Sequence, residues 1–150
     1  RNKKNSRIKM TDKKDLIAPC GMYCGICDKY LAYSHQIPKK RGKVSHCKGC
    51  KPLNKNCSFV KKKCENGKIY EINYCYECDL FPCTILIKGS AKYNDRYSYN
   101  FVESLNIVKQ NGADWFINEI EKQFNCEKCG DTICVHNHKC YSCDRDELIE

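Results

Sequence analysis

Five pairs of cysteines recur in this 150-residue chain at the spacing C-x2-C: Cys24/Cys27, Cys47/Cys50, Cys75/Cys78, Cys126/Cys129 and Cys140/Cys143. Two thiolates that close on a tight turn can both point at one ion, whereas a disulfide framework links distant segments and has no need of repeated near pairs. The total is fifteen cysteines, an odd number. That fits a reducing compartment, where thiols stay available to metal, better than a fully oxidised secreted scaffold. The chemistry expected from these residues is metal ligation, and the expected location is cytoplasmic.

The last constellation is the sharpest. Cys126-x2-Cys129 and Cys140-x2-Cys143 enclose ten residues, which gives two knuckles on a short hairpin, the arrangement of a zinc ribbon with four sulfur ligands and no position for a reactive water. Cys134 and His136 lie between the knuckles and are expected as a small buried hydrophobe and a hairpin surface residue rather than as ligands. The other ten cysteines, Cys20, Cys24, Cys27, Cys47, Cys50, Cys57, Cys64, Cys75, Cys78 and Cys83, are expected to bind metal too, but spacing does not fix their partition. Eight would complete two four-coordinate sites; all ten with His35 and His46 would complete three. Two or three Zn²⁺ ions are the expected cofactors. An iron–sulfur cluster is the alternative, because iron accepts the same four thiolates.

Catalytic signatures are missing. Cys20-x3-Cys24-x2-Cys27 has the spacing of the cluster motif of radical S-adenosylmethionine enzymes, but those are built on βα barrels of about 200 residues or more, and no βα repeat is visible here. There is no glycine-rich phosphate loop, no H-E-x-x-H and no G-x-S-x-G. A C-x2-C pair can be a redox dithiol, though it then normally opens a helix in a thioredoxin-like framework that this sequence lacks.

The elements that must position these cysteines are short. Leu, Ile, Val and Phe make up 30 of 150 residues, a level at which apolar burial alone hardly offsets the entropy of ordering. Residues 1–14 read as a disordered basic tail, and 15–90 as a cysteine-rich metal-binding domain with brief helices from about Gly25 to Ser34 and from near Cys83, behind Pro82. In 91–125 the pattern predicts a helical hairpin. Asn100 with Glu103 resembles a capping box ahead of Phe101, Leu105 and Val108, Asn111-Gly112 stops the helix, and Asp114 is the expected cap of a second helix carrying Phe116, Ile120 and Phe124, with Trp115 and Ile117 beside them. Residues 126–150 form a separate zinc ribbon and tail, with strand character at Thr132–Val135. The expected fold class is α+β, or a small irregular metal-stabilised domain, with a helical hairpin and a C-terminal zinc ribbon.

The net charge of +9 is concentrated at 1–14 and 37–68. Such stretches can meet phosphate backbones, so nucleic-acid binding is possible. They also surround Cys47, Cys50, Cys57 and Cys64, and a Zn²⁺ held by four thiolates is a dianionic centre that nearby lysines neutralise. Tyr93, Tyr97 and Tyr99, beside Lys92 and Arg96, are expected to pack against the helices rather than stack on bases. No stretch approaches the about 20 apolar residues of a membrane span, so a soluble chain without membrane contact is expected.

Taken together, the strings APCGMYCGIC, CKGC, CYECDLFPC and the terminal CEKCGDTICVH…CYSC resemble the prokaryotic cysteine-rich proteins grouped as domain of unknown function 3795, across roughly Ile17 to Asp144. The resemblance implies an intracellular protein with metal-binding cysteines and no established activity. The function expected is that of a structural-zinc protein, a non-enzymatic adaptor or interaction module with a protein partner. Nucleic-acid binding and an iron–sulfur or thiol redox and metal-handling role are the alternatives.

Overall fold

A computed structural model describes residues 12–49, 64 and 72–150. Cys50, Cys57 and most of the basic stretches lie outside the described residues. Those described are mostly helical: α1 (Asp28–Ser34), α2 (Thr84–Tyr97), α3 (Phe101–Asn111), α4 (Ala113–Gln123) and α5 (Arg145–Ile149), with 3-10 turns at Lys13–Leu16, Cys24–Ile26 and Cys75–Glu77. Pairing of β type among them is confined to isolated antiparallel bridges, Ile17 with Tyr23, Lys40 with Val44, Asn125 with Thr132 and Ile133 with Cys140. The strand component expected at Thr132–Val135 is thus reduced to single bridges. The bonds of those bridges are Ile133 N–H to Phe124 O and Cys134 N–H to Lys139 O.

α3 and α4 form the expected hairpin and pack on each other. Asn100 caps α3 by accepting from Glu103 N–H at 2.9 Å. Ser90, buried on α2, donates to the same Asn100 oxygen and accepts from Phe101 N–H, each at 2.9 Å, so α2 helps cap α3. The cap of α4 is Gly112, with φ +93°, and not Asp114. A glycine there both ends α3 and starts α4, which leaves Asp114 inside the first turn with its side chain exposed. Phe116, Ile117 and Ile120 are buried while Trp115 stays 47% exposed. α2 runs unbroken across residue 90, so a single helix carries the chain from the last N-terminal cysteine, Cys83, towards the hairpin.

The segment Leu16–Ile26 lies in this core. Leu16, Ile17, Ala18, Tyr23 and Ile26 cluster with Leu86, Phe101, Leu105 and Phe116. Gly21 passes so close to α3 that a Cβ there would lie 2.7 Å from Phe101 O, and its φ is +97°; both facts demand glycine. Fully enclosed Tyr99 clamps the loop, donating to Gly21 O at 2.7 Å and accepting from Tyr23 N–H at 3.0 Å.

Candidate metal centres

The four C-terminal thiols converge. The ligand atoms of Cys126, Cys129, Cys140 and Cys143 all lie within 4.8 Å of one another. Each knuckle is a turn whose backbone serves the sulfurs: Gly130 N–H returns to Cys126 O and Asp144 N–H to Cys140 O, both at 2.8 Å. Asp131 N–H points at Cys129 Sγ and Cys143 N–H at Cys140 Sγ, both at 3.4 Å. Backbone N–H groups of Cys129 and Lys128 lower the Cys126 thiol to about 7. The Cys129 side chain, with burial and the other two thiols, pushes Cys143 up to about 12. Burial raises Cys140. Four thiolates in this space repel one another, and a divalent cation relieves that repulsion, so the cluster can bind a metal ion.

Around the sulfurs, Asp131 orders the first knuckle. It accepts from Thr132 N–H, Ser142 Oγ and the ring of His35, whose Nε2 lies 2.7 Å away. Burial opposes ionisation of Asp131, but Ser142 and then His35 hold its carboxyl below the ordinary range. Arg145 donates to the carbonyls of His35 and Gln36 at the end of α1. Leu31, Ala32 and Ile37 form a second small core with Cys134 and Tyr141. The C-terminal unit, expected to stand apart, is therefore docked on α1.

Cys134 is fully buried in that second core, as a small hydrophobe. His136 departs from expectation. It is a wedge between α1 and α2, its side chain only 18% exposed. Nδ1 accepts from Asp28 N–H and lies 3.2 Å from Asp28 Oδ1, and Nε2 is in hydrogen-bond contact with Tyr93 Oη. Cys27, Asp28 and His136 make a second group whose ligand atoms lie within 4.8 Å of one another. The sequence signal was present, since His136 stands between the knuckles and Asp28 directly follows Cys27; neither has a spacing that marks a ligand.

The remaining described cysteines fall in two places. Cys20, Cys24, Cys27 and Cys47 line one cavity, together with Asp28 and His136. Cys75 is the centre of the other group: burial pushes its thiol up to about 12, and Cys20, Cys83, Cys64 and Cys78 add their charge to the effect. Cys75 N–H donates to Pro19 O at 2.8 Å, which brings the later knuckle against the opening cysteine. Among the described residues no two cysteines are joined by a disulfide. His35 and His46 use their rings elsewhere, on Asp131 and on Ile37 O. Tyr93 packs on Tyr97 and Phe101, at ring separations of 4.6 and 4.7 Å. No described helix is long and apolar enough to cross a membrane.

A family model described as protein of unknown function (DUF3795) matches residues 16–88. The match takes in Cys20 to Cys83 and stops before the hairpin and the terminal cysteines, short of Asp144, where the resemblance read from the sequence ended. No curated protein and no solved structure matches the chain.

Proposed function

From the match of residues 16–88 to that family of unknown function, we propose that the chain is a structural-zinc protein, a non-enzymatic module whose metal sites hold a surface for a protein partner. The observation that carries the reading is the convergence of Cys126, Cys129, Cys140 and Cys143 within 4.8 Å. Four sulfurs fill a tetrahedral Zn²⁺ and leave no site for water, so the ion contributes folding free energy and no chemistry, as in a zinc ribbon. The thin apolar core needs such a contribution. Cysteines gathered around Cys75 supply ligands for a second ion.

Metal per chain, measured by mass spectrometry on anaerobically purified protein together with its visible spectrum, tests the proposal. Colourless protein carrying zinc, with one ion lost in Cys129→Ser, supports it. Brown protein with iron and sulfide would replace it with an iron–sulfur role in electron transfer or sensing. A pull-down from native cells that returns no specific partner would count against the interaction module while leaving the zinc assignment intact.

A further inference from the structure

We propose that Cys27, Asp28 and His136 form a separate metal site, with mixed sulfur, oxygen and nitrogen donors and one coordination position open to a cavity, where a small anion can bind.

The argument begins with protons. His136 Nδ1 accepts from Asp28 N–H, so its lone pair is directed at the first turn of α1, and Nε2 meets Tyr93 Oη. Asp28 Oδ1 lies 3.2 Å from the same Nδ1 and 3.6 Å from Cys27 Sγ. A carboxylate oxygen, an imidazole nitrogen and a thiol sulfur thus lie together, all three residues half-buried. The Cys27 thiol donates to Asp28 Oδ1 and Asp28 N–H occupies the one lone pair of Nδ1, so a metal ion entering the group takes the place of the thiol proton and of that backbone contact. Thiolate, imidazole and carboxylate are the three ligand types that Zn²⁺ takes. The contact from Nε2 to Tyr93 is the kind of outer partner that fixes the ring of a ligating histidine.

The site differs in kind from the terminal four. Three protein ligands among the described residues leave one position of a tetrahedral ion unfilled. Cys27, Asp28 and His136 all line a cavity of about 390 Å³, room for more than a single water. Tyr30, Tyr93, Tyr97 and Phe101 form its aromatic side. Cys24 and Cys47 share the cavity wall but stand outside the group that closes to 4.8 Å. The ligand expected at the open position is water, exchangeable for a small anion.

The intact wild-type chain, loaded with cadmium-113 and read by NMR, gives the test without any substitution. A tetrathiolate cadmium resonates far downfield of one bound by mixed S, N and O donors. The expected spectrum has one resonance outside the tetrathiolate range. Resonances confined to that range would overturn the proposal, and would do so without touching the assignment of Cys126, Cys129, Cys140 and Cys143. In His136→Gln and Asp28→Asn the outlying resonance should vanish and cadmium per chain should fall by one, while tetrathiolate signals stay. A wild-type metal count in both variants would also overturn it. Azide added to the cobalt-loaded wild type should shift the visible bands, and the shift should be absent in His136→Gln; unchanged bands in the wild type would refute the open position.

Discussion

The terminal cysteines and those before α2 show two ways of gathering thiols. Cys126, Cys129, Cys140 and Cys143 come from one short stretch and meet within 4.8 Å through local turns. The described cysteines from residue 20 to residue 83 are gathered by tertiary contacts, such as Cys75 N–H on Pro19 O and Cys47 N–H on Lys29 O. Loop entropy does not make the difference. Each doubling of a closed loop costs only about 0.6 kcal/mol, too little to choose among ten candidate ligands. In the terminal unit the choice is made by adjacency; in the earlier region it is made by Gly21, Tyr99 and α3, which set where Cys20 and Cys24 lie.

If that distinction holds, substitutions should affect the two regions separately. The largest effect is expected from Cys140→Ser. Structural Zn²⁺ sites bind with roughly 10–16 kcal/mol of apparent free energy that is folding free energy. Loss of a ligand should release one ion and open residues 126–143 to fast hydrogen exchange, because the two bridges there cannot hold the turn alone. Exchange should rise at α1 as well, through Leu31, Ala32 and Ile37, which share a small core with Tyr141. It should change least at Gly21. A uniform rise across the chain would show that the two regions are one cooperative unit.

Gly21→Ala breaks the comparison from the other side. Left-handed backbone with a Cβ costs about 1–2 kcal/mol, and pressing that Cβ against Phe101 O and Leu105 costs about 1–3 kcal/mol more. Denaturant unfolding should report the sum, and the terminal metal should remain bound. Tyr99→Phe is the milder probe of the same contact. It removes the donor to Gly21 O and the acceptor for Tyr23 N–H in a closed interior, for a loss of about 1–3 kcal/mol, again with the terminal ion in place.

Much of this was legible in the sequence where the cause is local. Asn100 with Glu103 marks the start of α3, and the helix begins there because the cap needs only neighbours three residues apart. The convergence of Cys126, Cys129, Cys140 and Cys143 was readable for the same reason. Asp114 was the wrong cap because Gly112, two residues earlier, can take φ +93° and begin α4 sooner. The burial of His136 was not readable from the sequence. Its burial depends on α1 and α2 arriving from more than a hundred and more than forty residues away, and no periodicity around His136 encodes that meeting. The docking of the terminal unit through Asp131 and Arg145 has the same long-range origin.

The finest expected difference lies within the terminal group and changes no stability. Backbone N–H groups of Cys129 and Lys128 hold the Cys126 thiol near 7, while Cys143 is pushed to about 12. Thiolate is the form that reacts with iodoacetamide. In metal-free protein, Cys126 should therefore be alkylated first. Its rate should be half-maximal near pH 7 and level above that, whereas that of Cys143 should still be climbing at the alkaline end of the titration. Peptide mapping after short exposures at a series of pH values gives both profiles. Zinc added before the reagent should protect both residues, because a thiolate that shares its charge with the ion is a weaker nucleophile. If Cys126 and Cys143 instead titrate together, the turn N–H groups do not polarise the first knuckle, and the metal must itself supply the charge stabilisation that gathers the four sulfurs.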